Sequence, residues 1–223
     1  MSQKPTIEHE IALALGGNCV NETFAWLQRL PNCSYQRSTQ LLNVYFDTSA
    51  QDLLRAKAAL RLRFDTEAQC WIQTLKTAGR SAQGRSARHE WEVKLPLDHA
   101  EDSIIPDWRF DLFASDAQAY LHDIAGALHP VFHTDFQRDI FDYQLGEDHF
   151  ELALDRGEVR LTHDAHQQTT PIKDLEIELI QGDLNRMQEL SDQIQTALTT
   201  QPQTLSKAAR GYALMIETMP SPQ

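Results

Sequence analysis

Charged residues occupy every second position in four short stretches of the chain. The stretches are Glu8-x-Glu10, Arg61-x-Arg63, Arg88-x-Glu90-x-Glu92 and Glu176-x-Glu178. Each lies in a segment that is typical of a β-strand, in which residues i and i+2 share a face and lie about 6.7 Å apart. A solvated outer face explains one such strand. Several strands that mix carboxylates with guanidinium groups indicate instead the inside of a barrel that holds a polyanion and its metal ions.

The composition is that of one folded domain without a generally basic surface. The 223 residues fit a single domain, and 41% of them are hydrophobic. The formal net charge of −12 argues against a nucleic-acid or acidic-membrane surface, although a local basic cavity is compatible with it. Cys19, Cys33 and Cys70 lack metal-type spacing, so we expect free thiols in a reducing cytosol. The sequence shows no secretion signal and no run of about 18 apolar residues, which predicts a cytoplasmic protein.

Hydrophobic periodicity predicts a chain dominated by strands, with helices inserted between them. Strands are predicted at residues 6–15, 40–48, 59–64, 70–77, 88–95, 131–145, 150–161 and 173–180. Helices are predicted at residues 20–30, 51–57, 115–128, 183–199 and 205–217. Residues 78–87, rich in Gly, Ser and Arg, are predicted to form a mobile loop, and residues 201–203 a linker.

The predicted strands place a charged face opposite an apolar face. On this pattern alone, a β-sandwich with its polar faces in water is the simpler interpretation. The amphipathic helices favour the reverse arrangement, because each needs an apolar surface to cover and outward-facing strand faces supply one. The charged faces then lie inside a closed sheet, where an unpaired charge costs several kcal/mol. Such charges must be paired, hydrated or matched to a charged ligand.

Eight motifs follow one another in an informative order. They are EHE at 8–10, LRLR at 60–63, TLK at 74–76, RHEWEV at 88–93, DFQRD at 135–139, ELALDRGEV at 151–159, LEIEL at 175–179 and LSKAARGY at 205–212. Single items such as ExE carry little information, whereas the joint order is a strong signal. From Ile7 to about Ile216, the chain resembles the CYTH superfamily, also named triphosphate tunnel metalloenzymes, and within it the bacterial inorganic triphosphatases.

The resemblance implies an α+β fold, an eight-stranded antiparallel closed β-barrel with flanking helices, whose tunnel binds a triphosphate with Mg²⁺ or Mn²⁺. The implied metal ligands are Glu8, Glu10, Asp155, Glu176 and Glu178. The implied phosphate-binding bases are Arg61, Arg63, Lys76, Arg138 and Lys207, with Arg88, Arg160 and Arg210 as further lining bases. Glu90 is the candidate catalytic carboxylate. Carboxylates suit hard cations, and phosphoryl transfer relies on positioning and charge stabilisation, so these residue types fit the implied chemistry.

The chain departs from the family pattern ExExK at Ala12, where relatives carry a lysine that contacts phosphate. Loss of one charge-assisted contact weakens binding by about 1.5–3 kcal/mol. Lys57 and Lys94 are candidate replacements. Glu92, Lys94 and Glu151 are otherwise expected to be solvated or salt-bridged residues near strand ends.

The predicted function is metal-dependent hydrolysis of inorganic triphosphate. Two alternatives stay open: another hydrolase or cyclase of the same family, acting on thiamine triphosphate or ATP, and a polyphosphate- or nucleotide-binding module with little turnover. Residues 1–223 are expected to form one tunnel domain, without the C-terminal helical polyphosphate-associated domain of many relatives. The expected partner is a small polyanion rather than nucleic acid or a membrane, and the expected state is a monomer or homodimer.

Overall fold

The computed structural model describes residues 6–16, 19–65, 70–77, 80–82, 85–95, 108–162 and 168–218. The strands in this part of the chain are β1 (Thr6–Leu15), β2 (Cys33–Asp47), β3 (Ala58–Asp65), β4 (Cys70–Thr77), β5 (Arg80–Ala82), β6 (Arg85–Leu95), β7 (His129–Leu145), β8 (Asp148–Leu161), β9 (Thr169–Gln181) and β10 (Thr200–Pro202). The α-helices are α1 (Cys19–Leu27), α2 (Asp52–Arg55), α3 (Ser115–Leu121), α4 (Leu184–Ala197) and α5 (Lys207–Thr218). None of these helices has the length and apolar character needed to cross a membrane.

Eight antiparallel strands close into a barrel. The order around the ring is β1-β9-β8-β7-β2-β3-β4-β6, and β6 pairs with β1 to complete it. In this closing pair Glu8 lies opposite Arg88, so two of the predicted site residues face each other across the seam. The short strands β10 and β5 extend the sheet beside β1 and β6. The predicted fold class is confirmed.

The apolar strand faces point outward and are covered by helices, as the helical periodicity predicts. One buried cluster joins β1, β8 and β9 to α1 and α4 through Ile11, Leu152, Leu175, Leu27 and Ile194. A second cluster joins β3, β4 and β6 to α2 and α3 through Leu60, Leu75, Trp91, Leu53 and Leu121. Each large apolar side chain that is fully buried stabilises the fold by about 1.5–3 kcal/mol. The outer layer of helices therefore leaves the charged faces inside.

Helix α5 closes one end of the barrel from the inside. Its Tyr212 packs in a third buried cluster with Leu41, Tyr45, Phe132, Phe136, Val159 and Ile172. Phe136 is two positions from Arg138 on β7, so these partners belong to the inward strand faces. Lys207 and Arg210, in the first turns of α5, are consequently directed into the barrel, and both are buried.

The buried carboxylate of Asp47, at the end of β2, ties α2 and α5 to the barrel. The backbone N–H groups of Leu53 and Leu54 donate to it at 2.9 and 3.0 Å. The hydroxyl of Tyr212 donates to its Oδ2 at 2.9 Å. Burial and the adjacent negative charge raise the pKa of Tyr212. Because a buried carboxylate needs such donors, Asp47 fixes the position of α5 and hence of Lys207.

The cysteines in the described part of the chain behave as the sequence predicts. Cys33 and Cys70 are free thiols, each partly buried. Burial and the nearby Asp142 raise the pKa of Cys33 to about 11, which keeps this thiol protonated and unreactive near neutral pH. The side chain of Cys19 lies outside the described residues.

Three segments differ from the prediction. The expected loop at 78–87 contains β5 and the start of β6, while residues 78–79 and 83–84 lie outside the described part. The expected linker at 201–203 contains most of β10, which pairs with the end of β1. The helix expected at 115–128 ends at Leu121 and is followed by a 3₁₀ turn at Ala125–Ala127. Three-residue edge strands rely on backbone pairing, so their side chains show too little alternation to be recognised.

Gly211 sets how closely α5 approaches the barrel wall. A Cβ at this position would lie 2.3 Å from two ring carbons of the fully buried Phe132. We expect Gly211→Ala to lower the free energy of unfolding by about 1–3 kcal/mol, because the ring must shift within a packed core. Urea unfolding measures this change. The matched control is Gly126→Ala, where a Cβ meets nothing within 4 Å; equal losses in both variants would contradict the close packing of α5.

Candidate functional site

A cavity of about 980 Å³ occupies the barrel interior, and all eight strands of the ring contribute to its lining. Residues 203–210, which lead into and begin α5, bound one end. The predicted site residues that line the cavity are Glu8, Glu10, Arg61, Arg63, Lys76, Arg88, Glu90, Arg138, Glu176, Glu178, Lys207 and Arg210. Asp155 is fully buried just behind this lining, where it contacts Arg138 and Lys207. The structure therefore brings the predicted set together.

The cavity lining is balanced in charge. Its nine bases are Arg37, Lys57, Arg61, Arg63, Lys76, Arg88, Arg138, Lys207 and Arg210. Its nine acids are Glu8, Glu10, Asp65, Glu90, Glu92, Glu151, Asp174, Glu176 and Glu178. The net charge of the chain is −12, so the bases are concentrated in the interior while the excess of acids lies elsewhere.

Lys76 is the centre of one group of ion pairs. Its Nζ lies 2.8 Å from Glu8 Oε2 and 2.9 Å from Glu90 Oε2. Arg61 Nη2 approaches the other oxygen of Glu90 at 3.8 Å. Burial opposes the charge of Glu8, but Lys76 outweighs it and lowers the pKa of this carboxyl. Two neighbouring carboxylates thus hold Lys76 between them.

Arg88 pairs with Glu10 beside that group. The two residues lie near the β1–β6 seam, where register places Glu8 directly opposite Arg88. Burial and the charge of Glu176 nevertheless raise the pKa of Glu10, since they outweigh the attraction to Arg88. The Nε atoms of Arg61 and Arg88 are buried without a hydrogen-bond partner in the described part of the chain. Buried donors normally have an acceptor, and these two atoms are available to donate to a bound ligand.

A second group of ion pairs lies deeper, around Arg138 and Lys207. The Nε and Nη2 atoms of Arg138 donate to the two oxygens of Asp155 at 2.8 and 2.7 Å, and Nη2 also donates to Glu176. Lys207 Nζ lies 2.7 Å from Asp155 Oδ2 and contacts Glu176 as well. Lys207 and Arg138 strongly lower the pKa of Glu176 against the opposing effect of its burial. Both cations also face the ring of Phe136, at 5.1 and 5.7 Å from its centre.

Arg210 lines the cavity, as the resemblance implies, whereas Arg160 lies elsewhere. The guanidinium of Arg210 is held by Asp174 and donates to the carbonyl oxygen of Pro171 at 3.2 Å, so it forms part of the floor. Arg160 does not line the tunnel. It lies in a separate surface groove and pairs with Glu158 at 3.0 Å. Arg160 is an odd number of positions from Asp155 on β8, which places it on the outward strand face.

Several lining residues were not predicted from the sequence. Glu92 and Glu151, expected to be solvated or salt-bridged positions near strand ends, both line the cavity. Glu92 is salt-bridged, since its Oε2 lies 3.5 Å from Arg63 Nη2. Their positions could have been predicted, because Glu92 shares a strand face with Glu90 and Glu151 shares one with Asp155, and both faces point inward. Both candidate replacements, Lys57 and Lys94, are exposed, but only Lys57 is among the residues that line the cavity.

Ala12 lies in the cavity wall where the family pattern has a lysine. It is directly opposite Glu176 on β9, and its side chain is 9% exposed. Lys207 reaches the same glutamate from α5. A cation therefore remains next to Glu176, although it comes from the helix rather than from β1.

Three carboxylates lie side by side across neighbouring strands and repel one another. Glu10, Glu178 and Glu151 lie directly opposite one another across β1, β9 and β8. Like charges at opposed positions destabilise a sheet. Burial, together with Glu8 and Glu151, raises the pKa of Glu178 to about 7. A bound cation would offset this repulsion.

The donor types fit a hard divalent cation together with a phosphate chain. Carboxylate oxygens are the ligands that Mg²⁺ and Mn²⁺ favour, and Glu8, Glu10, Glu176 and Glu178 supply them from two adjacent strands. Among the described residues, however, no three His, Cys, Asp or Glu side chains form a ready-made metal site. Most of these carboxylates are held by lysine or arginine, so a metal site requires that some ion pairs separate.

The raised pKa of Glu178 allows a test of the repulsion among Glu10, Glu178 and Glu151. Its pKa in the folded protein, about 7, lies above the ordinary value of 4.5, so the folded state loses stability as pH rises between these values. We expect Glu178→Gln to raise the free energy of unfolding by about 1–3 kcal/mol at pH 8, with little change at pH 4.5. Urea unfolding in a metal chelator measures both. The control is Glu217→Gln, an exposed position on α5. If Glu178→Gln raised the free energy of unfolding equally at both pH values, this explanation would be contradicted.

The fold resembles solved structures that cover almost the whole chain. A candidate adenylyl cyclase from Hippeastrum, described as having a dominant triphosphatase activity, aligns with a TM-score of 0.63 and 22% identity, covering 96% of this chain and 98% of that one. A candidate adenylate cyclase from Bacillus halodurans aligns with a TM-score of 0.60 and 17% identity, covering 93% and 98%. At these identities the likeness concerns the fold.

Sequence comparison agrees with the fold. An inorganic triphosphatase of Haemophilus influenzae is 29% identical over 210 residues, which are 93% of this chain and 54% of the relative. The chain thus spans about half the length of that relative. The CYTH domain matches residues 26–212. This match covers most of the barrel together with Lys207 and Arg210 in α5, and the chain therefore belongs to the CYTH domain family.

Proposed function

We propose that this protein hydrolyses a phosphoanhydride bond of inorganic triphosphate inside the tunnel, and that it requires Mg²⁺ or Mn²⁺. The observation that carries the proposal is the cavity inside the barrel, which is lined by nine bases and nine acids from the inward strand faces, from Lys57 just before β3 and from the start of α5. Membership of the CYTH family and the similarity to an inorganic triphosphatase support triphosphate hydrolysis in general. The free thiols of Cys33 and Cys70 support a cytoplasmic location.

In this proposal the bases bind and orient the phosphate chain. Arg61 and Arg63 each offer a planar fork that matches two phosphate oxygens, while Lys76 and Lys207 act as point charges. The unpartnered buried Nε of Arg61 supports such a contact. Arg138 adds positive charge, although its Nε and Nη2 are held by Asp155. Phosphoryl transfer needs little more than positioning and stabilisation of the developing charge, so a surrounding set of bases suffices for most of the task.

Carboxylates on β1 and β9 are proposed to hold the metal. Glu8, Glu10 and Glu178 line the wall beside the phosphate-binding bases, with Glu176 next to them. A bound divalent cation would neutralise phosphate charge and lower the pKa of a water ligand. Asp155 is fully buried and holds Arg138 in a bidentate contact. This contact favours a positioning role for Asp155 over direct metal ligation.

Glu90 is proposed to position bases. Its two oxygens contact Lys76 and Arg61 at 2.9 and 3.8 Å. A carboxylate held in this way orders two phosphate-binding groups at once. This positioning role differs from the direct catalytic role for which the sequence made Glu90 a candidate.

A second candidate function is a polyphosphate- or nucleotide-binding module with little turnover. Ala12 favours it, because the cavity lacks a lysine on β1 that the family pattern provides. A further alternative is another triphosphate enzyme of the same family, acting on thiamine triphosphate or ATP. These candidates differ in the reaction product and in whether bound ligand is turned over.

Phosphate release distinguishes these functions. The purified protein is given tripolyphosphate, ATP, thiamine triphosphate or pyrophosphate, each with Mg²⁺ or Mn²⁺. We expect release from tripolyphosphate to be fastest and to stop in a chelator. Binding without release would support the binding module, and preference for an organic triphosphate would support the related enzyme. Absence of both binding and release for every triphosphate would contradict the tunnel function.

The same phosphate-release assay is applied to the variant Arg63→Ala. Arg63 is only part-buried and its ion pair with Glu92 is loose, at 3.5 Å, so its removal leaves the deep ion pairs around Arg138 unchanged. Loss of one charge-assisted contact lowers kcat/KM by about 10- to 150-fold. The control is Arg156→Ala, a residue on the outward face of β8 that pairs loosely with Asp139 at 3.5 Å. Equal effects in the two variants would contradict a role of the interior bases.

A further inference from the structure

Charged side chains that line the cavity form ion pairs with one another. Lys76 lies between Glu8 and Glu90, at 2.8 and 2.9 Å, and Arg88 is paired with Glu10. The same carboxylates that are proposed to hold a cation therefore occupy the bases that are proposed to hold phosphate. The lining as a whole matches nine bases with nine acids.

A ligand that is only negative or only positive leaves some of these side chains without an oppositely charged partner. Tripolyphosphate alone would draw Lys76 and Arg88 toward its oxygens and leave Glu8 and Glu10 without their cations in a confined space. A divalent cation alone would do the reverse. Removing one partner of a buried ion pair is strongly unfavourable, because the other charge stays uncompensated. Both ligands together compensate the charges of Lys76, Arg88, Glu8 and Glu10.

We propose that the tunnel binds divalent cation and polyphosphate as a coupled pair, each ligand separating the ion pairs that block the site of the other. The inference rests on the proposed function and adds that each ligand raises the affinity for the other. Coupling of this kind is reciprocal: the factor by which the cation raises the affinity for phosphate equals the factor by which phosphate raises the affinity for the cation. The absence of a ready-made metal site among the described residues agrees with weak binding of cation alone.

The residues that exchange partners can be named. Lys76 leaves Glu8 for phosphate, and Glu8 is then available to the cation. Arg88 and Glu10 separate in the same way. Glu90 keeps its contact with Lys76, because it lies opposite this lysine in the β4–β6 register. In this exchange the side chains change partners.

Wild-type binding is the first test. Calorimetry measures the affinity for a methylene-bridged triphosphate analogue, with EDTA and with Mn²⁺. Paramagnetic resonance measures free Mn²⁺ with and without the analogue, after correction for the Mn²⁺–analogue complex formed in buffer. We expect each ligand to strengthen the other by the same factor, between about 5- and 150-fold. Independent affinities would overturn the inference while leaving the proposed function in place. Absence of binding under all conditions would overturn both.

A variant separates ion-pair competition from attraction between the two ligands. Glu8→Gln removes one carboxylate that holds Lys76, so we expect it to raise the metal-free affinity for the analogue by at least about 5-fold. The control is Glu178→Gln, which removes a carboxylate from the same cavity that makes no ion pair with a described residue; both variants are measured well above the raised pKa of Glu178, where its carboxyl is ionised. A smaller gain in the control supports the inference. Equal gains show a general charge effect and overturn it. If Glu8→Gln does not fold, the wild-type measurement decides.

Discussion

The constraint on which this structure depends is that charges enclosed by a closed sheet must be compensated. An uncompensated ion in a protein interior costs several kcal/mol, whereas a whole domain is stable by only about 5–15 kcal/mol. Nine bases and nine acids share one cavity of about 980 Å³. Many of these charges meet in pairs, such as Lys76 with Glu8 and Glu90, and Arg138 is also held by Asp155, which is buried just behind the lining.

The outer architecture follows from the same constraint. Inward charges require outward apolar faces, and these are covered by α1, α3 and α4. Helix α5 is different, since it enters the end of the barrel and supplies Lys207 and Arg210 to the floor. Asp47 fixes that helix through Tyr212, a contact between residues 165 positions apart. Packing at the end of the barrel thus determines which cations reach the deep carboxylates.

Much of this arrangement was predictable from sequence, because alternation with period two assigns faces and amphipathic helices decide which face is outside. Glu8, Arg61, Lys76 and Glu176 were placed correctly on inward faces by that reasoning. Pairing partners were not predictable: the contact of Lys207 with Asp155 depends on where α5 docks. The prediction that Arg160 lines the tunnel was wrong, because Arg160 lies an odd number of positions from Asp155 on β8 and therefore faces outward. Edge strands β5 and β10 carry too few side chains to show a pattern.

The central claim is that the inward charged faces are a joint site for a polyphosphate and a divalent cation. The most direct measurement is a crystal structure of the protein grown with Mn²⁺ and a methylene-bridged triphosphate analogue, with anomalous scattering recorded for manganese. The account predicts an anomalous peak beside Glu8, Glu10 and Glu178, and phosphate density in contact with Arg61 and Lys76. Manganese and analogue bound only outside the barrel, with the Lys76–Glu8 pair intact, would contradict it.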